Sequence, residues 1–389
     1  MTTRLTASPG GGEFRPRAEA VIDLDAISAN VAALRDHVGG RDVMAVVKAD
    51  GYGHGIVESA RAARAGGAGW LGVAFLDEAL QLRTAGDKGP ILTWLAVPGE
   101  RYAEGMAAGV ELSAYSKAEL LEIVLAAGQC GQRAAVQLKL DSGLGRGGAH
   151  PDVWDELTAT AAKAESDGRI DVTGVWSHLA RSDEPGHPSI AAQTAAFQAG
   201  VVAARSAGLE PQHLHLANSG GLLASPDTWF TMVRPGIAIY GVTPLVGCDS
   251  PVPLSAAMTL RAAVAMVKRV GAGQGVSYGH TYVTERETTL ALVPLGYGDG
   301  VPRHASGSGP VLLNGRRHQV AGRVCMDQFV VDIGGDSAQA GDEVVLFGDA
   351  ARGEPTALDW AAAADTIGYE IVTRIGSRVP RRYVGTGSR

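Results

Sequence analysis

The chain has 389 residues, of which 46% are apolar and 19% charged, so it can bury more than one core and is not compositionally disordered. The net charge of -7 leaves no basic excess to neutralise phosphates, which argues against nucleic-acid binding. Three cysteines without CxxC spacing favour a reducing compartment over a disulfide framework. These features predict a globular protein of the cytoplasm.

The N-terminal stretch MTTRLTASPGGGEFRPR has no apolar core between its charges, which predicts neither a signal peptide nor a membrane anchor. We expect residues 1–16 to form a flexible lead-in. No later window approaches about 18 uninterrupted apolar residues, so no membrane-spanning helix is expected. No metal site is predicted either.

Beyond residue 18 the chain alternates short apolar runs with stretches of helix-forming composition. Eight strands separated by helices is the count of a (β/α)8 barrel, and an open doubly wound sheet is the competing fold. The eight candidate strands are 43–48, 70–75, 91–96, 110–115, 134–141, 172–178, 213–218 and 232–240.

The positions of the polar side chains distinguish these two folds. Lys48, His178, Asn218 and Arg234 lie at or just past the ends of four candidate strands, and Arg146 follows a fifth. In a barrel, chemistry collects at the carboxyl ends of many strands. This scatter favours an α/β protein whose residues 17–255 form an N-terminal (β/α)8 TIM-type barrel.

From residue 256 the pattern changes to alternating β-structure divided by Gly and Pro turns. We predict a mainly β C-terminal domain over residues 256–389, with one helix at 358–367. Its candidate strands are 260–270, 288–295, 319–333 and 343–347.

Lys48 ends a Val-rich strand and opens the glycine-spaced turn of AVVKADGYGHG. The strand would fix the lysine, and the glycines would let a ligand approach the backbone closely. A surface lysine is the ordinary alternative. Two further features make that alternative weaker, namely Tyr52 between two glycines and the loops after the seventh and eighth strands. There Ser219 and the amides of Gly236 and Ile237 could hold a phosphate, as such loops often do in barrels. A strand-end lysine opposite a phosphate cradle indicates pyridoxal 5′-phosphate bound as a Schiff base.

At this point the chain resembles the alanine racemases over nearly its whole length beyond the lead-in. Seven motifs carry this resemblance in the order of the family. They are Lys48 in AVVKADGYGHG, Arg146 in LDSGLGRGG, Arg234 in VRPGIAIYG, Tyr278 in VSYGHTY, Tyr297 in LGYGDG, Met326 in GRVCMDQ and Tyr369 in TIGYEIVTRIGSRVPR.

The resemblance implies a homodimer with shared active sites that interconverts L- and D-alanine and supplies D-alanine for bacterial peptidoglycan. Lys48 would carry the cofactor and act as the base on one face of the substrate. Tyr278 of the partner subunit would be the acid or base on the other face, since racemisation is served better by two opposed bases than by one. Arg146 would contact the cofactor's phenolic oxygen and the substrate carboxylate, and Met326 of the partner subunit would offer its amide.

The resemblance also assigns the remaining positions. The cofactor site would comprise Tyr52, His178, Asn218, Ser219, Arg234, Gly236, Ile237 and Tyr369, and the substrate entryway Asp183, Tyr297, Arg303 and Arg323. Arg234 would keep the pyridine nitrogen unprotonated, because an arginine does not give up its proton. That weakens the electron sink and suppresses transamination, and His178 would orient Arg234. Lys139 matches a position that some members carry carbamylated and others do not.

Three alternatives remain. A basic-amino-acid decarboxylase with the same two-domain plan would benefit from a protonated ring, which Arg234 disfavours. A cofactor carrier would not need the second domain with its Tyr278 and Met326 motifs. A broader racemase acting on serine or lysine is harder to exclude, although periplasmic relatives of that kind would need an export signal.

Overall fold

The computed structural model describes residues 16–386, so the predicted lead-in lies outside the described residues except for Pro16. The chain begins with β1 (Ala18–Asp23), which runs into α1 (Leu24–His37). Asp23 caps this helix, because its Oδ1 accepts the amide of Ala26 at 3.0 Å.

An eight-stranded parallel barrel follows, as predicted, because its strands are short, apolar and separated by helices. All seven neighbouring strand pairs are parallel. The ring closes where the amide of Thr231 donates to the carbonyl of Leu214 at 3.1 Å and that of Arg234 donates to Ala217 at 2.9 Å. The strands are β2 (Asp42–Val46), β3 (Trp70–Val73), β4 (Ile91–Thr93), β5 (Glu111–Ala114), β6 (Ala134–Lys139), β7 (Ile170–Trp176), β8 (His213–His215) and β9 (Met232–Val233).

The predicted barrel strands were correct in position but extended too far at their C-terminal ends, and two of them, 43–48 and 172–178, began one and two residues late. The candidate strand 232–240 ends at Val233 and continues as a 3-10 helix over Ile237–Tyr240. The helical segments of the barrel are α2 (Lys48–Tyr52), α3 (Ile56–Ala65), α4 (Leu76–Thr84), α5 (Tyr102–Ala107), α6 (Lys117–Cys130), α7 (Pro151–Ser166), α8 (Pro188–Ser206) and α9 (Ser219–Ala224).

The second domain is mainly β, as predicted. Its strands are β10 (Met258–Ala263), β11 (Met266–Val270), β12 (Gly275–Val276), β13 (Tyr282–Val283), β14 (Thr288–Val293), β15 (Pro310–Leu313), β16 (Arg316–Gln319), β17 (Phe329–Gly334), β18 (Glu343–Phe347) and β19 (Arg381–Val384). Two short helices, α10 (Ala357–Ala363) and α11 (Gly368–Thr373), precede β19.

The domains share a strand. The largest sheet of the second domain has the order β16-β15-β18-β10-β1-β19, so β1 hydrogen-bonds there although it lies in the range predicted for the barrel domain. The division at residues 255 and 256 stays a prediction. The predicted strand 319–333 was wrong over 321–328, which form a loop before β17.

Residues 16–386 contain neither a membrane-spanning helix nor a cluster of metal ligands. No helix there is long and apolar enough to cross a membrane. No group of three or more His, Cys, Asp or Glu side chains in that part of the chain is arranged to hold a metal ion.

Candidate active site

Lys48 follows β2 at the mouth of the barrel and begins a strained turn. Ala49, Asp50 and Gly51 all have left-handed backbone angles, with φ of 54°, 54° and 60°. Such angles cost a non-glycine residue on the order of 1 kcal/mol or more, so the surroundings must hold the turn. The carboxylate of Glu78 accepts the amide of Ala49 at 2.7 Å.

His54 supports the same turn from inside. Its ring is fully buried, and its Nδ1 lies 3.0 Å from the carbonyl oxygens of both Gly51 and Tyr52. Burial lowers the pKa of His54 to about 4, so the imidazole is neutral and Nδ1 donates its single proton to these carbonyls. Glu78 and His54 therefore fix the direction in which Lys48 leaves its strand.

The amine of Lys48 is disposed to act as a base. Burial lowers the pKa of Lys48 below its ordinary value, the Arg146 cation lowers it further, and Glu78 opposes both effects. A larger fraction of the amine is therefore neutral than in an exposed lysine. This location of Arg146 near Lys48 agrees with the sequence prediction.

The residues predicted to hold a phosphate lie close to one another. The hydroxyl of Ser219 accepts the amides of Gly236 at 2.9 Å and Ala238 at 3.3 Å. A Cβ atom at Gly236 would lie 2.4 Å from the phenolic oxygen of Tyr52, so only glycine leaves room for that hydroxyl at the backbone. The ring of Tyr369 lies 6.2 Å from that of Tyr52.

These groups suit an anion. Burial raises the pKa of both Tyr52 and Tyr369, so both phenols stay protonated and can donate hydrogen bonds. Asn218 caps α9, with its Oδ1 accepting the amide of Gly221 at 3.1 Å, and the buried Ile237 begins the 3-10 helix behind the cradle. The hydroxyls of Tyr52, Ser219 and Tyr369 are donors that fit a cofactor phosphate.

Arg234 lies in the floor of the site with 4% of its surface exposed. Its Nη2 donates to the carbonyl of Ser177 at 2.6 Å and lies 3.3 Å from Nδ1 of His178. Its Nη1 lies only 2.8 Å from Nδ1 of His215. Burial lowers the pKa of Arg234 to about 9, so the guanidinium is still cationic at neutral pH. His178 therefore shares with His215 the orienting role that the sequence analysis gave to His178 alone.

Lys139 lies among cations. Its Nζ is 4.3 Å from the centroid of the Trp176 ring, and it would lie 3.5 Å from a Cβ atom at Gly147, next to Arg146. Burial, followed by the charges of Arg234 and Arg146, lowers the pKa of Lys139 to about 8. A substantial neutral fraction of this amine is therefore present at neutral pH.

A second group of predicted residues lies on the C-terminal domain and projects outward. The side chains of Tyr278, Met326 and Tyr297 are exposed to 71%, 53% and 40%. The amide of Tyr297 donates to the carbonyl of Cys325 at 2.9 Å, and that of Gly298 donates to Met326 at 2.8 Å. These bonds join the loop that carries Tyr297 to the loop that carries Met326.

The predicted entryway is divided between the two groups. The guanidinium of Arg323 lies beside Gly279. The turn that contains Arg303 contacts the loop that carries Arg323, because the hydroxyl of Ser306 donates to the carbonyl of Arg303 and accepts the amide of Val324 at 3.0 Å. Asp183 lies on the barrel side, near Tyr369. Burial raises the pKa of Tyr369, and the charge of Asp183 raises it further. Among residues 16–386 no hydrogen bond joins Tyr278 or Met326 to the barrel.

The sequence did not indicate four residues of the site, the buried His54, Gln137 and His215 and the partly exposed Glu78. One signal could have indicated two of them. In a strand, alternate residues face the same side, so the interior side chains of a barrel follow every second position. Gln137 and Lys139 in β6, and His213 and His215 in β8, are spaced in this way.

A parallel barrel with a lysine and an anion cradle at its mouth, followed by a β domain that presents a tyrosine, defines a two-domain barrel enzyme. Family models identify which one. The model for the alanine racemase N-terminal domain matches residues 22–244, and the model for the alanine racemase C-terminal domain matches residues 257–383. The chain belongs to the alanine racemase family.

Individual relatives agree. The chain is 57% identical to an alanine racemase of Thermobifida fusca over 95% of this chain and 98% of the relative. It superimposes on the crystal structure of alanine racemase from a D-cycloserine-producing Streptomyces lavendulae with a TM-score of 0.94 and 54% identity, over 96% of this chain and 98% of that one. Alanine racemase of Streptomyces coelicolor A3(2) gives a TM-score of 0.93 and 55% identity, over 95% and 98% of the two chains.

Proposed function

We propose that this chain is an alanine racemase that interconverts L- and D-alanine with pyridoxal 5′-phosphate, as a homodimer with shared active sites. The observation that carries the proposal is the lysine of lowered pKa, Lys48, beside the donor cradle of Tyr52, Ser219 and Gly236. When bound, the cofactor supplies a conjugated ring that withdraws electrons from the Cα–H bond of the amino acid.

The residues of one subunit divide into four binding roles. Lys48 would hold the cofactor covalently, and Arg234, which His178 and His215 contact, would face its ring nitrogen. Arg146 serves the phenolic oxygen and the substrate carboxylate, because a guanidinium recognises carboxylates well. The phosphate is held by the hydroxyls of Tyr52, Ser219 and Tyr369 and the backbone at Asn218, Gly236 and Ile237.

Proton transfer is divided between two side chains. Racemisation removes the proton of Cα on one face and returns a proton on the other. The Nζ atom of Lys48, with its lowered pKa, accepts or donates the proton on one face. The phenolic oxygen of Tyr278 of the partner subunit does so on the other face.

The dimer follows from the exposure of Tyr278 and Met326. An enzyme gains nothing from a catalytic phenol that faces water, and a two-fold dimer brings the same surface of each subunit to the other's barrel. Met326 of the partner subunit then offers its amide to the substrate carboxylate, and Asp183, Tyr297, Arg303 and Arg323 border the entryway.

Carbamylation of Lys139 belongs to the same proposal. Its neutral amine attacks carbon dioxide, so an N–C bond forms, one C=O electron pair moves to oxygen and the amine releases a proton. The anionic product would be attracted by Arg146 and Arg234, whereas a lysine cation there is repelled by both, although Asp141 and Glu119 partly offset that repulsion.

We place the activity in the cytoplasm, where it supplies D-alanine for peptidoglycan. The exposed free cysteines Cys130 and Cys248 fit a reducing compartment.

The test is turnover by the purified protein with added pyridoxal phosphate. Wild type should racemise alanine, Lys48→Ala should not, and the exposed Lys163→Ala should match wild type. Serine and lysine are assayed beside alanine to measure how strict the specificity is. Release of carbon dioxide from basic amino acids without racemisation of alanine would support the decarboxylase instead, and cofactor binding without turnover the carrier.

A further inference from the structure

A chain of hydrogen bonds runs through the barrel interior beneath Arg234. Gln137 is fully buried, and its Oε1 lies 2.6 Å from Nε2 of His215. Its Nε2 donates to Oε2 of Glu111 at 2.9 Å, and the hydroxyl of Thr173 donates to the same oxygen at 2.6 Å. At its other end His215 contacts Nη1 of Arg234 at 2.8 Å.

The donor at each contact follows from Glu111. A carboxylate oxygen that already receives the Thr173 hydroxyl is an acceptor, so the group of Gln137 that faces it is the NH2. The carbonyl oxygen of Gln137 must then face His215. That oxygen requires a proton on Nε2 of the imidazole.

His215 has only one ring proton to place. It is fully buried, and burial together with the charges of Arg234 and His213 lowers its pKa well below the ordinary value, so the ring is neutral. With the proton on Nε2, the lone pair is on Nδ1, facing Arg234. This is the required arrangement, because a guanidinium has donors only.

Stacking fixes the planes of these groups. The rings of His215 and Trp176 are parallel within 2°, with centroids 5.7 Å apart. The guanidinium carbon of Arg234 lies 4.9 Å from the same Trp176 ring. Two backbone carbonyls, of Ser177 and Leu216, accept from Nη2 at 2.6 and 3.2 Å, which leaves His215 as the group that orients Nη1.

We propose that Glu111 and Gln137 are positioning residues that set the proton of His215 on Nε2 and thereby hold the Arg234 guanidinium in the orientation its site requires. The proposal rests on the proposed function only in taking Arg234 as the group that faces the cofactor's ring nitrogen. Glu111 is the first residue of β5, at the end of the barrel opposite the site, where residues usually serve stability. Here it acts on the site through Gln137 and His215.

The test is nitrogen NMR of the holoenzyme with 15N-labelled histidine, the His215 signals being assigned by their loss in His215→Gln. Wild type should show a protonated Nε2 and an unprotonated Nδ1. Gln137→Met removes the group that accepts the Nε2 proton of His215. Glu111→Gln removes the carboxylate that orients Gln137, so the side-chain amide of Gln137 can flip and present its NH2 to His215. Glu111→Gln should shift His215 toward the Nδ1-protonated form, weaken cofactor binding and lower kcat about tenfold with little change in KM, since a buried donor pair would then oppose Arg234. Gln137→Met leaves Arg234 as the partner that directs the ring, so its His215 should keep the proton on Nε2. Glu111→Asp keeps the carboxylate and should therefore return the tautomer, the cofactor affinity and kcat part of the way to their wild-type values.

Two control variants separate this role from a general loss of stability. Glu165→Gln changes another part-buried carboxylate of the barrel, which accepts the amide of Val172, and Thr158→Val removes a buried hydroxyl that bonds only within α7. Both should leave the His215 signals and the cofactor affinity unchanged. An Nδ1-protonated His215 in wild type, or unchanged His215 signals in Glu111→Gln, would overturn the tautomer assignment. A shifted tautomer with unchanged cofactor affinity and kcat would overturn the link to Arg234. If wild type bound no cofactor, the proposed function would fail while the NMR result still decided the tautomer.

Discussion

The hydroxyl of Ser277 donates a 2.7 Å hydrogen bond to the carbonyl oxygen of Arg323. This bond connects the turn that carries Tyr278 to the loop that carries Met326. Ser277 has φ of 61° and ψ of -172°, a strained conformation for a residue with a side chain, so the bond holds a turn that would otherwise relax. The two side chains that we assign to the partner's active site are therefore presented together.

Ser277→Ala should slow racemisation. The variant keeps the strained backbone angle but loses a bond worth about 1 kcal/mol, so we expect kcat to fall about fivefold as Tyr278 loses its alignment. Cofactor loading, measured by absorbance, should stay at the wild-type level because Lys48 and its cradle are in the barrel. A variant with wild-type kcat would show that the Ser277 bond does not align Tyr278.

Mixed dimers test the sharing of active sites. Lys48→Ala and Tyr278→Phe should each inactivate both sites of a homodimer. In a dimer with one subunit of each variant, one site combines an intact Lys48 with an intact Tyr278 from the other subunit. Random mixing should therefore restore about a quarter of wild-type activity, because half of the dimers carry one intact site. No recovery in verified mixed dimers would place both residues in sites within single subunits.

Glu119 should make the protein less stable as the pH rises. Burial raises its pKa to about 7 from an ordinary 4.5, and its Oε1 is buried without a hydrogen-bond partner. Below pH 4.5 the folded and unfolded states both hold the proton. Between these two pKa values only the folded state does, so the free energy of unfolding falls by about 3 kcal/mol as the pH approaches 7.

Glu119→Gln removes this dependence. Denaturation midpoints should rise relative to wild type at pH 8 and match it at pH 4.5, whereas the exposed Glu156→Gln should have no effect at either pH. An equal change at both pH values would mean that packing, and not ionisation, separates the variant from wild type.

Carbamylation of Lys139 should be visible in gently handled native protein. Mass spectrometry should show one added carboxyl group per subunit, absent in Lys139→Ala, and 13C-bicarbonate should label it. Activity of Lys139→Ala should recover in part with a short carboxylic acid, which can return a negative charge beside Arg146. A native mass without the added group would exclude the modification under those conditions.

Much of the fold could be predicted because parallel barrel strands are buried on both faces. Runs such as Val43 to Val47 are then continuously apolar, and this one is followed directly by the polar site residue Lys48. The pairing of β1 with β10 and β19 could not be predicted, because an isolated short strand does not specify its sheet. The left-handed turn after Lys48 was also missed, since its cause lies in tertiary contacts from Glu78 and His54.

The site residues divide in a similar way. Lys48, Ser219 and Arg234 lie where strand ends and glycine turns make their chemistry readable in the sequence. Gln137 and His215 lie within apolar strands. The role of a buried polar side chain there cannot be inferred until its hydrogen-bond partner across the barrel is known.

The most direct test of the two-base account is exchange of the Cα hydrogen in D2O, followed separately for L- and D-alanine. Wild-type holoenzyme should exchange both, and Tyr282→Phe, which changes a phenol bonded to Asp332 in the same domain, should do the same. Tyr278→Phe should lose exchange mainly from one enantiomer, because Lys48 still serves the other face. Equal loss from both enantiomers, or none from either, would contradict the assignment of Lys48 and Tyr278 to opposite faces.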